Sequence, residues 1–304
     1  MPLLVLQPVK RRRRRRRWKG ALGLVILLAV GLAAGWYYGF ERADSSHGAA
    51  PAPGTTTTPP ATTKTQATET SAPPPVPRLV SAGAGLRSHE FPRLGAKGAV
   101  LVDGKTGSVL WEERSHRRLP IASTTKIMTA TLVLERRSLD HVVRVDPLAA
   151  RTEPFREGLR PNERVPVKKL LYALLLFSGN DDAYALAVDA AGSREAFLRL
   201  MNDKAEKLGL RDTHFSSPSG VRDENNYSSA WDMAGLARYA MRNATFRTIV
   251  ATREKRVSWP APTFAKVYVN KNHLLGTYEG ADGVKTGWTT KAQHCLVAST
   301  TRDG

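Results

Sequence analysis

Large apolar residues almost vanish between residue 41 and about residue 93, and that gap divides the chain. Before it stands an unbroken apolar run, Ala21 to Phe40, twenty residues without a charge. As a helix this run would span ~30 Å, the thickness of a bilayer's hydrocarbon core. After the gap the pattern is that of a folded domain. Ala99-Val-Leu-Val-Asp103 and Ser108-Val-Leu-Trp-Glu112 are short apolar runs on either side of Gly104-Lys-Thr-Gly107, which predicts a β-hairpin. In STTKIMTATLVLERR the positions of Ile127, Met128, Thr131, Leu132 and Leu134 predict a largely buried helix. Helical segments follow between about Val142 and Tyr239: VKKLLYALLLF, DDAYALAVDAA, REAFLRLMNDKAEKLG and WDMAGLARYAMR. Strand patterns return in FAKVYVNKN, GVKTGWT and HCLVAST. Strands, a helical insert and more strands make a two-part layout.

Charge refines this picture at the N-terminus. The 304 residues carry a net charge of +19, and Lys10, Arg11 to Arg17 and Lys19 supply nine of it. The remaining 284 residues hold +10, a mildly basic surface suited to an anionic polymer or membrane rather than to reading bases, so no nucleic-acid partner is expected. A basic block before an apolar run, with Trp18 at one end and Trp36, Tyr37 and Tyr38 at the other, predicts a single-pass anchor over residues 21–40. Residues 1–20 would be a basic cytoplasmic segment, and everything after Phe40 would lie outside the cell membrane. A cleaved signal peptide, with Gly31-Leu-Ala33 as its cleavage site, is the other reading. Residues 41–93, rich in Pro, Thr, Ala and Ser, cannot offset the entropy of ordering and read as a disordered linker. As a flexible coil it would reach ~40 Å. Cys295 is the only cysteine, so no intrachain disulfide can form.

Three short motifs then fall in a fixed order: Ser123-Thr-Thr-Lys126, Ser178-Gly-Asn180 and Lys285-Thr286-Gly287. Each alone has an ordinary explanation as a helix cap, an interhelical turn or a hairpin. Ser123 and Lys126 stand i,i+3 at a helix start, so their side chains share a face. A serine hydroxyl needs a base, and a lysine whose pKa is lowered by desolvation or a neighbouring cation can be one. Ser178 could hydrogen-bond that base and relay its proton, while the Asn180 amide could hold a substrate carbonyl. Lys285 and Thr286 on a strand edge would attract a terminal carboxylate, and Gly287 would let an extended peptide approach. A second Lys-Thr-Gly, Lys105 to Gly107, precedes the serine motif and reads as turn chemistry only. Asp181 and Asp182 read as charges favouring the start of a helix, Cys295 as a buried strand residue and His214 as structural. No nucleophile elbow, zinc helix or phosphate loop occurs, and no metal or cofactor is expected.

In that order the motifs mark serine enzymes that act on penicillin-like or D-alanyl peptides. With IASTTKIMTA, GLRPNERVPVKKLLYALLLFSGNDDA, MNDKAEKLGLRDTHFSSPSG, NYSSAWDMA and DGVKTGWT, the chain resembles the low-molecular-mass D-alanyl-D-alanine carboxypeptidases, penicillin-binding serine peptidases of family S11. The resemblance implies an α+β fold, an antiparallel sheet flanked by helices with a mainly helical subdomain, over residues 94–304. It implies a serine D-Ala-D-Ala carboxypeptidase working through an acyl-enzyme, with peptidoglycan pentapeptide stems as substrate and β-lactam antibiotics as ligands. It also implies an oxyanion hole made by the backbone N–H groups of Ser123 and Trp288. A β-lactamase, or a non-catalytic wall-binding or penicillin-sensing module, are the competing readings. Two departures stand out. Gln293 occupies a turn where the family usually has glycine. The family also continues beyond the position of Gly304 into a further strand and a long helix, so the sheet is expected to lack an edge strand and a covering helix.

Overall fold

The two apolar runs around Gly104 to Gly107 do pair, and they anchor the main sheet. In the computed structural model of the protein the described residues are 2–6, 79–81, 94–152, 154–221, 224–259 and 265–302. Pro2–Leu6 is strand β1 and Val80–Ser81 a short β2, while Ala99–Asp103 (β3) and Ser108–Glu113 (β4) form the antiparallel hairpin. Leu119–Pro120 (β5), Val142–Arg144 (β6), Arg164–Pro166 (β7), Tyr227–Ser228 (β8), Glu254–Val257 (β9) and Lys266–Val269 (β10) make three small pairs, β5–β8, β6–β7 and β9–β10. Ala281–Thr289 (β11) and Gln293–Thr300 (β12) close the chain's strands, and the six-stranded sheet runs β11-β12-β1-β3-β4-β2. All its neighbours are antiparallel except β2 and β4. The early Lys-Thr-Gly is turn chemistry: Asp103 Oδ1 accepts from Thr106 N at 2.6 Å and from Thr106 Oγ1 at 2.8 Å. Arg238 clasps that turn from outside, donating to the carbonyls of Gly104 and Lys105.

β1 lies between β12 and β3, with Leu4 opposite both Ala298 and Leu101, so β12 is paired on both sides. The five apolar residues of PLLVL belong to the segment expected to be cytoplasmic, and their backbone here completes the hydrogen bonds that β12 and β3 offer. Likewise, Val80–Ser81, expected within the linker, is drawn into the sheet beside Ser108 and Val109. The predicted span at 21–40, and the linker at 41–93 apart from residues 79–81, lie outside the described residues. Among the described residues no helix is long and apolar enough to cross a membrane.

Five of the helices form where the periodicity predicts them, and Ala244–Ala251 adds a sixth that it does not. They are Lys126–Arg136 (α1), Val167–Tyr172 (α2), Asn180–Ala191 (α3), Arg194–Lys207 (α4), Ala230–Ala240 (α5) and Ala244–Ala251 (α6). Ser193, Ser229 and Asn243 cap α4, α5 and α6, each side-chain oxygen accepting a backbone N–H three residues on. α1 is buried on every side from Lys126 to Val133, the condition of a central helix. It packs against α3, α4 and α5, while α5 and α6 cover the sheet at β3 and β11. Val100, Val102, Ile127, Leu132, Leu170, Leu174, Phe197 and Phe246 belong to the one core beneath them.

Candidate active site

A 3-10 turn at Ala122–Thr125 feeds directly into α1, so Ser123 precedes the helix and Lys126 opens it. Ala122, just before the serine, has φ +46, a left-handed conformation that costs a non-glycine residue about 1–3 kcal/mol. Lys126 is wholly buried, and its Nζ has three neighbours: Ser123 Oγ at 3.0 Å, Asn180 Oδ1 at 2.8 Å and the Ser219 carbonyl at 2.9 Å. Burial, reinforced by the positive charge of Lys285 and only partly opposed by Asp182, holds the Lys126 pKa well below the usual lysine value. A neutral amine has two N–H donors and one lone pair. Asn180 Oδ1 and the Ser219 carbonyl can only accept, so they take the two donors and the lone pair is left facing Ser123.

The second motif is placed by a break in helical geometry. After α2 the backbone widens into a π turn at Ala173–Phe177, where Ser178 N donates to the Ala173 carbonyl at 2.8 Å. Ser178 itself is left-handed, φ +75, and its buried hydroxyl has no partner among the described residues. Asn180 then starts α3. Its amide had been expected to hold a substrate carbonyl, but one of its N–H groups already donates to the Pro154 carbonyl at 2.6 Å, leaving the second for a ligand. Asp181 and Asp182 follow directly on Asn180. They stand in the first turn of α3, where they are expected, yet both are wholly buried, and Asp181 accepts the backbone N–H groups of Glu157, Gly158 and Leu159.

Strand β11 brings the third motif against the first. An ideal Cβ on Gly287 would lie 2.9 Å from Ser123 N and 3.1 Å from the Ile121 carbonyl, so only glycine lets β11 run this close to the backbone at Ser123. Lys285 is buried behind the strand, donating to the Thr286 carbonyl at 2.9 Å, and burial with the neighbouring charge of Lys271 lowers its pKa to about 7. Ser123, Ser178, Asn180, Thr286, Gly287 and Trp288 all line one open cleft of about 940 Å³. Lys126 and Lys285 stand behind its wall. Trp288 is about half exposed at the rim and Cys295 is buried in β12, facing the cleft. His214 bridges to Tyr227 through backbone hydrogen bonds, as a structural residue would.

Three contributors were not singled out from the sequence. The Ser219 carbonyl fixes Lys126, Asn226 Nδ2 donates to Thr125 Oγ1 at 3.0 Å, and Lys271 lines the cleft. Ser219 lies in the segment DTHFSSPSG and Asn226 opens NYSSAWDMA, two of the stretches that carry the resemblance, and that is the signal the sequence offers. For Lys271 there was none.

A serine backed by a buried lysine, a Ser-x-Asn turn and a Lys-Thr-Gly strand around one cleft place this domain in the DD-peptidase fold class. The chain belongs to the D-alanyl-D-alanine carboxypeptidase family of S11 peptidases, which it matches over residues 86–304. It is 40% identical over 210 residues to D-alanyl-D-alanine carboxypeptidase DacF of Bacillus subtilis, covering 67% of this chain and 54% of that protein. It is 37% identical to the D-alanyl-D-alanine carboxypeptidase of Streptomyces sp. K15, across 70% of this chain and 79% of the relative. Thus the chain spans about half the length of the Bacillus relative and about four-fifths of the Streptomyces one. Among solved structures, a mutant of Streptomyces K15 DD-transpeptidase superposes with TM-score 0.65 at 36% identity, over 70% of this chain and 88% of that one. A D-alanyl-D-alanine carboxypeptidase from Mycobacterium tuberculosis superposes with TM-score 0.68 at 30% identity, over 74% and 84%.

Proposed function

We propose that the protein is a serine-type D-Ala-D-Ala carboxypeptidase that trims peptidoglycan stem peptides and is acylated by β-lactams. The observation that carries this reading is the Lys126 amine, buried, held by two obligate acceptors and 3.0 Å from Ser123 Oγ. In this reaction Ser123 Oγ bonds to the carbonyl carbon of the penultimate D-alanine as its proton passes to Lys126. The C–N bond to the terminal D-alanine then breaks, and the leaving amine takes the proton by way of Lys126 and the unpartnered Ser178 hydroxyl. Water hydrolyses the resulting ester and restores the serine. Backbone N–H groups of Ser123 and Trp288 would stabilise the oxyanion, Asn180 would steer the substrate amide, and Lys285 and Thr286 would draw in the terminal carboxylate.

Fluorescent penicillin should label the wild type and not Ser123→Ala; labelling retained in the variant would refute the nucleophile. Release of D-alanine from a pentapeptide, in excess over penicillin turnover, would separate this activity from a β-lactamase and from a non-catalytic module.

For location, the charge and apolar pattern of the N-terminus supports a membrane anchor at 21–40 with 41–93 as its tether. Pro2–Leu6 cannot both sit in the sheet of an exported domain and lie across the bilayer from it, so in the anchored chain β1 would leave its place. Retention of the full-length chain in washed membranes supports the anchor; a soluble chain starting near residue 34 would show cleavage.

A further inference from the structure

Behind the Ser178-Gly179-Asn180 turn three carboxyl groups are buried together, and only Asp181 has a full set of partners. Glu157 Oε1 accepts from Lys266 Nζ at 2.7 Å and from the Tyr268 hydroxyl. Glu157 Oε2 and both carboxyl oxygens of Asp182 are buried with no donor among the described residues. Two adjacent carboxylates, unsolvated and both ionised, are among the least favourable arrangements an interior can hold. One proton removes the difficulty, because an Asp182 carboxylic acid can donate to Glu157 and leave neither group bare. Consistently, burial and then the charges of Glu157 and Asp181 hold the Asp182 carboxyl well above the ordinary aspartate range, with Lys266 opposing.

These groups are fastened to the catalytic turn. An ideal Cβ on Gly179 would lie 1.9 Å from Asp182 Oδ2, so the glycine rests directly on that carboxyl. From the Glu157 loop, the Phe155 carbonyl accepts from Asn180 N at 3.0 Å, and the Pro154 carbonyl from Asn180 Nδ2. Strand β10 supplies Lys266 and Tyr268. The carboxyl groups therefore join α3, the loop before Leu159 and β10 beneath the residues that face Ser123.

We propose that Glu157 and Asp182 share one proton in a buried carboxyl–carboxyl hydrogen bond, and that this pair positions the Ser178–Asn180 turn against Lys126. The positioning half rests on the reaction proposed above; the shared proton rests on the buried oxygens of the two carboxyls that have no donor among the described residues. Asp182 is a positioning residue, acting through Gly179 and Asn180. The charged or titratable groups facing the pair are Asp181 on α3, Lys266 and Tyr268 on β10, and Lys126 on α1, whose amine feels Asp182.

The folded protein keeps an Asp182 proton that the unfolded chain releases above its ordinary value. The site's contribution to stability is therefore complete below that value and is lost as pH rises through the folded one. Asp182→Asn keeps a donor toward Glu157 and cannot ionise. Thermal midpoints and fluorescent-penicillin acylation rates, measured from about pH 5 to about pH 9, test this on wild type, Asp182→Asn and Asp182→Ala. The midpoint of Asp182→Asn minus that of wild type should widen as pH rises. At neutral pH Asp182→Asn should acylate within about threefold of wild type, whereas Asp182→Ala falls by about tenfold or more. A pH-independent gap, or Asp182→Asn as impaired as Asp182→Ala, overturns the proposal. Should Asp182→Ala not fold, Glu157→Gln, which also supplies a donor, should flatten the same pH slope; an unchanged slope refutes the shared proton. A wild type that is not acylated at all would strike the proposed reaction, while the midpoints would still decide the proton.

Discussion

Lys126 Nζ stands 3.0 Å from Ser123 Oγ, with the Asn180 and Ser219 oxygens occupying its other hydrogen-bonding directions. In the proposed reaction this makes the lysine a base by subtraction, since the only direction left for a lone pair is toward the serine. Lys126→Arg should therefore lose about 10²- to 10⁴-fold in penicillin acylation, because a guanidinium stays protonated. In the wild type the rate should rise with pH through a value well below that of free lysine, following the lowered Lys126 pKa. An arginine variant that acylates at the wild-type rate would remove the lysine from this role.

Gly287→Ala places a methyl 2.9 Å from Ser123 N and 3.1 Å from Ala122 Cβ, contacts too close to persist. Either β11 or the serine turn must shift by a few tenths of an ångström. Acylation should drop by about tenfold to a hundredfold, with a far smaller change in thermal midpoint. Stopped-flow acylation beside a melting curve reads both quantities.

Lys285→Met should stabilise the fold while impairing turnover of peptides with a free terminal carboxylate. Burial lowers the folded pKa of Lys285 to about 7, so below that value the protein bears the full cost of enclosing a cation. As pH rises from about 7 toward the unfolded lysine value the unfolded chain holds more protons, and wild-type stability at this site recovers. The variant's advantage in urea unfolding should thus be largest below neutral pH and shrink in base. A variant less stable than wild type at low pH would contradict this account.

Gln293 adopts φ +62 in the turn that joins β11 to β12, the left-handed region that glycine enters without strain. Gln293→Gly should raise stability by about 1 kcal/mol, less what is lost with the side chain's hydrogen bond to the Thr290 carbonyl. Acylation should not change, and equilibrium urea titration measures the gain.

Much of the site could be read along the chain because its first motif is local. Ser123 and Lys126 need only one helical turn to meet, and the helix was predicted from its apolar spacing. The hairpin at Asp103 to Ser108 was legible for the same reason, its turn residues lying beside its strands. Long-range pairings were not. Nothing in PLLVL says that its partners are Leu296 to Ser299 and Ala99 to Asp103. Asp181 and Asp182 are adjacent and chemically identical, so no sequence argument separates them. Only the approach of the Glu157 loop gives Asp181 three backbone donors and leaves Asp182 with none among the described residues.

Residue identity and spacing alone determined which chemical groups are available: a hydroxyl and an amine one turn apart, an amide at a helix start, and a glycine on a strand. Their protonation and their meeting were decided by tertiary structure. An amine becomes a free base, and a carboxyl stays an acid, only when water is excluded and neighbours from distant segments set the local field. That exclusion arises where α1, α3, β10 and β11 close together around Lys126, Lys285 and Asp182.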